Sequence, residues 1–267
     1  MKPDILHRIL KTKIEEVETA RKNLPEASLR REAEKRRDTR PFFRRLRSRA
    51  SRRANIIAEI KRGSPSRGII RADLDPARQA RLYEEGGAAA VSVLTDSSFF
   101  HGKSEDLVQA RDAVSLPVLR KDFILSTYQI YESVVMGADA VLLIVRALSR
   151  EFLRDCIALC RDLPLDPLVE VHSEEELEIA TWAGASLIGI NNRDLRTFRT
   201  DLAVSVRLAP HLQPDQVGVA ESGIENRRQI EELLDAGIWN FLIGESLVRS
   251  GDPVELLGRL VGPSEES

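Results

Sequence analysis

Cysteine, histidine and net charge are all scarce in this chain. Its 267 residues hold two cysteines and four histidines, and the formal charge is -2. Cys156 and Cys160 lie one helical turn apart, which on paper is half a metal site. No histidine or further cysteine completes a ligand set, so the pair reads as two buried helix residues, and no metal is expected. The same spacing makes a poor disulfide in a reducing cytosol. A near-balanced charge gives no global field for nucleic acid. No apolar run is long enough to span a bilayer, and the N-terminal stretch is polar, without a secretory apolar segment. These absences lead us to expect a soluble, cytoplasmic protein with neither a nucleic-acid nor a membrane partner. Lysine also runs short: beyond Lys35 only Lys61, Lys103 and Lys121 remain, in a chain that otherwise uses arginine. A lysine at a strand end in such a chain suggests a compact or titratable charge.

What is present is a repeated alternation. Hydrophobic residues make up 42% of the chain, enough for a sizeable core. From Asn55 onward, short β-branched runs read as strands at 55–61, 89–95, 116–121, 140–146, 167–171, 187–191, 216–221 and 240–244. Helical spacing fills gaps between them, as at 75–85, 104–113, 126–136, 150–161, 174–183 and 226–236. Gly87, Gly137, Gly184 and Gly237 each end a helix and precede a strand, so one αβ turn is reused and each glycine should take the left-handed cap. Eight strand–helix units over about 200 residues predict a (β/α)8 TIM barrel. An open doubly wound sheet would need a glycine-rich fingerprint after its first strand, which Gly63-Ser-Pro-Ser does not supply. The barrel is expected over 51–260, behind a helical extension over 1–50. Within that extension, 4–22 has helical apolar spacing. The arginine-rich stretch from Ser28 to Ser51 is interrupted by Glu32, Glu34 and Asp38, so it reads as a solvated helical face with Phe42, Phe43 and Leu46 packed on the domain, rather than as an RNA-binding arm.

The strands end in polar residues. Glu59 and Lys61 close the first, Lys121 the third, Glu170 the fifth, Asn191 the sixth, and Glu221 the seventh. Residues two apart on a strand face the same side, and a buried ion pair adds little stability, so Glu59 and Lys61 are better explained by a site than by folding. In a parallel α/β barrel these groups would converge at the mouth, perturb one another's pKa values and supply a general acid and base. Glu221-Ser222-Gly223-Ile224 and Ile243-Gly244-Glu245-Ser246 carry glycine at the ends of the last two strands, where this fold often binds phosphate through backbone N–H groups. A small phosphorylated substrate is therefore expected.

The motifs in their order resemble the indole-3-glycerol phosphate synthase family. They are Ala58-Glu-Ile-Lys-Arg-Gly-Ser-Pro-Ser66, Ser92-Val-Leu-Thr-Asp96 with Phe99-Phe-His-Gly102, Leu119-Arg-Lys-Asp-Phe123, Val141-Leu-Leu-Ile-Val145, Leu168-Val-Glu-Val171, Ile188-Gly-Ile-Asn-Asn-Arg-Asp-Leu195, Glu221-Ser-Gly-Ile224 and Leu242-Ile-Gly-Glu-Ser-Leu247. The resemblance implies a cofactor-free lyase of tryptophan biosynthesis, which closes and decarboxylates 1-(2-carboxyphenylamino)-1-deoxyribulose 5-phosphate and then dehydrates it. It implies Lys121 as general acid and Glu170 as general base, with Glu59, Lys61 and Asn191 supporting ring closure and the departing hydroxyl. Glu221 and Ser222 complete the site. Lys61, Ser64, Gly223, Gly244 and the backbone at Glu245 correspond to the phosphate grip. Phe100 and Leu142 form the apolar wall, and Arg193 is a further substrate contact. Gly63 stands where some members carry another lysine. Glu245 makes sense beside phosphate only if its side chain turns away. His172 rivals Glu170 as the base, and the family motif favours Glu170. A related phosphoribosylanthranilate isomerase would need a cysteine at a strand end, and neither cysteine is there. A barrel that merely binds its ligand is opposed by the intact polar set. The sequence identifies no channelling partner from the tryptophan pathway.

Overall fold

The computed structural model describes residues 5–49, 53–194 and 197–262. Eight strands form a closed barrel: β1 Asn55–Ile60, β2 Ala90–Leu94, β3 Val118–Lys121, β4 Ala140–Ile144, β5 Asp166–Val171, β6 Leu187–Asn191, β7 Val217–Glu221 and β8 Asn240–Ile243. Each pairs in parallel with its neighbours in sequence, and β8 closes on β1 through Asn55–Asn240 to Ala58–Ile243. The expected strands match within a residue or two. Lys61 lies just past the end of β1, where Gly63–Ser64 and Gly68–Ile69 form a small antiparallel ribbon.

The helices are α1 Ile5–Asn23, α2 Glu26–Ala33, α3 Phe42–Arg47, α4 Pro76–Glu85, α5 Ser104–Ala113, α6 Thr127–Val135, α7 Arg150–Asp162, α8 Glu174–Trp182, α9 Ala203–Leu208, α10 Arg227–Asp235, α11 Glu245–Arg249 and α12 Pro253–Val261. Local chemistry starts several of them. The side chains of Asp75, Ser149, Ser173, Asn226 and Asp252 each accept a hydrogen bond from the backbone N–H three residues on, satisfying donors that the first turn leaves free. Gly87, Gly137, Gly184 and Gly237 all have φ between 83° and 92°, as the reused turn requires. The short α9 has no counterpart in the sequence reading, because six residues give too little periodicity to register.

Alternation along the strands produces two apolar layers. Ile56, Val91, Val118, Val141, Val169, Ile188 and Phe241 face the helices, and Cys156 and Cys160 pack into that outer layer as free thiols. Ile57, Leu119, Leu142, Leu168, Val219 and Leu242 fill the barrel interior.

The extension grips the barrel at both ends. α3 closes the floor: Phe42 and Leu46 are buried with the interior set, the Phe43 N–H donates to Asp166 at 2.8 Å, and Asn55 Nδ2 donates to the Ser48 carbonyl at 2.9 Å. α1 lies across the mouth, with Leu6 and Ile9 joined to the same interior set. The arginine-rich stretch is not wholly solvated. Arg36 donates to the Gly137 and Ala138 carbonyls and pairs with Asp139, and Arg40 donates to the Leu116 carbonyl at 2.8 Å. These arginines cap backbone groups at the barrel floor, which needs many donors on one side chain. Residues 1–4 and 50–52 of the expected extension and its junction fall outside the described residues, as does Leu195 of the sixth-strand motif. No helix among the described residues is long and apolar enough to cross a membrane.

Candidate active site

At the carboxyl ends of the strands the barrel opens into a cavity of about 610 Å³. Every residue that the family resemblance assigns to the site borders it, while His172, the rival base, does not. Glu59, Lys61, Lys121, Glu170, Asn191 and Glu221 come from the strands and their ends. Ser64, Ser222, Gly223, Gly244, Glu245 and Arg193 come from the loops and α11, while Phe100 and Leu142 give apolar wall. Parallel register brings the polar strand ends level: Asn191 lies opposite Glu221, and Ile144 opposite Glu170.

Lys121 Nζ sits between two carboxylates, 3.2 Å from Glu170 Oε2 and 3.1 Å from Glu221 Oε2. A second pair, Lys61 Nζ to Glu59 Oε1 at 2.8 Å, lies beside it. Burial alone would push the Lys121 ammonium toward neutrality. Glu221, Glu170 and Glu59 outweigh it and hold the lysine charged, with a raised pKa.

The two carboxylates flanking Lys121 differ. Burial works against ionisation of Glu170, yet Lys121, His172 and a hydrogen bond from Asn191 hold its pKa below the ordinary carboxyl value. Glu221 is pushed up to about 7: burial dominates, Lys121 opposes it, and the charges of Glu170 and Glu59 add to the rise. The asymmetry is physical. Glu221 Oε1 is buried without a hydrogen-bond partner, whereas Glu170 has three favourable neighbours. The site thus holds a charged ammonium, an ionised carboxylate and a third group poised near neutrality, a set able to give and take protons.

Two glycines make this packing possible. A Cβ on Gly189 would overlap Glu221 Oε1, and one on Gly244 would overlap Glu59 Oε1 and approach Lys61 Nζ to 3.0 Å. Ser222, just past β7, has φ 68°, a left-handed conformation that costs energy in a residue with a side chain and recurs at functional turns. The Glu245 carboxylate is held by Arg67 Nε at 3.1 Å and Arg249 Nη1 at 3.3 Å. Arg193 donates its backbone N–H to Asn191 Oδ1 at 3.0 Å. The Phe100 and Phe123 rings pack at a tilt of 37°, with centroids 6.0 Å apart.

His172 does not border the cavity. It stands behind Glu170, with its ring tied to Glu176. The sequence reading missed a further buried network: Lys13 of α1 contacts Asp96 and Asp122, each at 3.0 Å. Asp96 Oδ1 accepts the N–H groups of Phe99 and Phe100, and Asp122 also accepts from Thr95 and Arg120. The signal was available, since Lys13 falls on the apolar stripe of α1 with Leu6, Ile9 and Val17, and a lysine on a buried stripe needs anionic partners.

The model of the indole-3-glycerol phosphate synthase family matches residues 6–260. The chain is 61% identical to the indole-3-glycerol phosphate synthase of Desulfosudis oleivorans over 259 residues, covering 97% of this chain and 98% of the relative. It is 58% identical to that of Syntrophobacter fumaroxidans, again over 97% of this chain and 98% of the relative. Among solved structures, thiamine phosphate pyrophosphorylase from Pyrococcus furiosus aligns with a TM-score of 0.58 at 16% identity, over 78% of this chain and 94% of that one. At that identity the likeness concerns the barrel alone.

Proposed function

The chain belongs to the indole-3-glycerol phosphate synthase family, and we propose that Lys121 and Glu170 are the acid and base of its reaction. The activity is indole-3-glycerol phosphate synthesis, a carboxy-lyase step of tryptophan biosynthesis. The substrate is phosphorylated, and we infer it to be 1-(2-carboxyphenylamino)-1-deoxyribulose 5-phosphate. The aromatic carbon bearing the carboxylate attacks the ketone carbon while Lys121 delivers a proton to the ketone oxygen. The bond to the carboxylate breaks, CO2 leaves, and its electron pair restores the aromatic ring. Lys121, recharged with a proton, then protonates the new hydroxyl, which departs as water while Glu170 removes a proton from the adjacent methylene, giving the indole. Glu221, 3.1 Å from Lys121 and poised near neutrality, restores the proton that Lys121 gives up.

The observation that carries this reading is the position of Lys121 between Glu170 and Glu221 in a largely buried mouth, where proton donors and acceptors need little reorganisation. Glu59, Lys61, Asn191 and Ser222 orient the ketone and the departing hydroxyl. Lys61, Ser64, Gly223, Gly244 and the Glu245 backbone hold the phosphate. The Arg67 and Arg249 contacts to the Glu245 carboxylate support that assignment, because they neutralise its charge. Arg193 meets the substrate carboxylate, with Phe100 and Leu142 against the anthranilate ring. The near-balanced charge of the chain supports a small-molecule substrate over nucleic acid, and we infer a cytoplasmic setting from the biosynthetic role. The test is turnover of this substrate by the purified chain, followed by indole fluorescence. Product at a stoichiometry of one CO2 per indole is expected, and binding without product would overturn the reading.

A further inference from the structure

The His172 ring is almost wholly buried behind the cavity wall. Its Nδ1 lies 3.0 Å from Glu176 Oε2, and its backbone N–H donates to the same oxygen at 2.7 Å. Arg146 Nε holds the other carboxylate oxygen of Glu176 at 2.6 Å. This clamp fixes the ring through one nitrogen. The other, Nε2, is buried without a hydrogen-bond partner and points at Glu170, 3.5 Å from Oε1. An orphaned buried ring nitrogen is costly, and the cost falls if that nitrogen carries a proton facing a carboxylate.

We propose that His172 is a positioning residue, an imidazolium held behind Glu170 that keeps the Glu170 carboxylate ionised and aimed while an anionic substrate fills the mouth. The inference rests on Glu170 being the base. The charges alternate along the line Arg146, Glu176, His172, Glu170 and Lys121. The groups facing His172 are Glu170 on β5, which His172 directly follows, Glu176 on α8 and Arg146 after β4. Those facing Glu170 are Lys121 on β3, Asn191 on β6, the carboxyl of Glu221 on β7 beyond Lys121, and His172 itself. Burial opposes charge on His172, but the hydrogen bond to Glu176 and the two carboxylates prevail and raise its pKa above the ordinary histidine value. The device has a purpose here. The inferred substrate brings a carboxylate and a phosphate into the cavity, and added negative charge favours protonation of Glu170. Lys121 and Lys61 border the cavity and can be drawn to that substrate. His172 stands on the far side of Glu170, out of its reach.

The experiment joins pH–rate profiles with NMR titration of the histidine. In His172→Asn and His172→Gln, the acid limb of kcat should move up by about one pH unit, the size expected from losing an adjacent opposite charge, with the plateau rate reduced far less. In Glu170→Gln, which leaves His172 intact, the His172 titration should fall by a similar amount, because the coupling is reciprocal. That second measurement stands even if the His172 variants do not fold. An acid limb in place in both His172 variants, or an unchanged His172 titration in Glu170→Gln, would overturn the proposal. Failure of the acid–base assignment would look different: Glu170→Gln would retain turnover whatever His172 does.

Discussion

Lys13 of α1 lies 3.0 Å from Asp122, the residue that follows Lys121 on β3. The helix that covers the mouth is therefore tied electrostatically to the strand that carries the proposed acid. Burial disfavours the Lys13 charge, but Asp122, Asp96 and Glu16 outweigh it and raise its pKa. Lys13→Met should cost about 3 kcal/mol, because Asp96 Oδ2 is left buried without a cation. Tm should fall by roughly 6–12 °C. KM should rise, since Asp96 also accepts the backbone N–H groups of Phe99 and of Phe100, which lines the cavity. Calorimetry and steady-state kinetics check both halves, and an unchanged KM would show that the anchor serves stability alone.

A methyl group at position 189 should act on the site from behind. Gly189→Ala drives a Cβ into the space of Glu221 Oε1, so Glu221 must swing and Lys121 loses one of its two carboxylates. A displacement of this kind is expected to cost about a hundredfold in kcat, with Tm lowered by only a few degrees. If kcat stays within threefold of the parent, the exact seat of Glu221 is immaterial to turnover.

Glu221 gives the fold a pH dependence with a defined sign. Its folded-state pKa, about 7, is raised above the ordinary carboxyl value. The stabilisation that its proton brings is complete below the unfolded value and is lost as pH rises through 7. The Glu221 contribution to Tm should therefore decline as pH rises from 4.5 to about 7 and level off above that in the parent protein, and be much smaller in Glu221→Gln. Parallel declines in the two proteins would assign the effect to another group. Glu170 runs the other way: its depressed pKa gives stability that is lost only as pH falls through its folded value.

The sequence carried the barrel and its mouth because both rest on local regularities. Strand ends at Lys121, Glu170, Asn191 and Glu221 follow from period-two burial, and the αβ turns announce themselves through glycines such as Gly137 and Gly184. The residues it did not reveal act across long sequence separations. Lys13 meets Asp122 only after the extension folds over the mouth. Arg36 and Arg40 read as solvated charge until the barrel floor supplies carbonyls for them. His172 was legible as a neighbour of Glu170, but its tie to Glu176 and Arg146 needed the geometry of α8 and the turn after β4. Glu245 posed a conflict with the proposed phosphate grip that Arg249, one helical turn on, and Arg67, from a different loop, relieve together.

The division of labour between Lys121 and Glu170 is the centre of the account, and the pH dependence of kcat in the parent, Lys121→Met and Glu170→Gln tests it most directly. The parent should give a bell whose acid limb reports the carboxylate and whose alkaline limb reports the ammonium, both as values of a coupled set. Lys121→Met should lose about 10²–10⁴ in kcat. Glu170→Gln should lose a comparable factor in kcat with little change in KM, and its acid limb should vanish. An acid limb that persists unchanged in Glu170→Gln, with kcat within tenfold of the parent, would contradict the assignment.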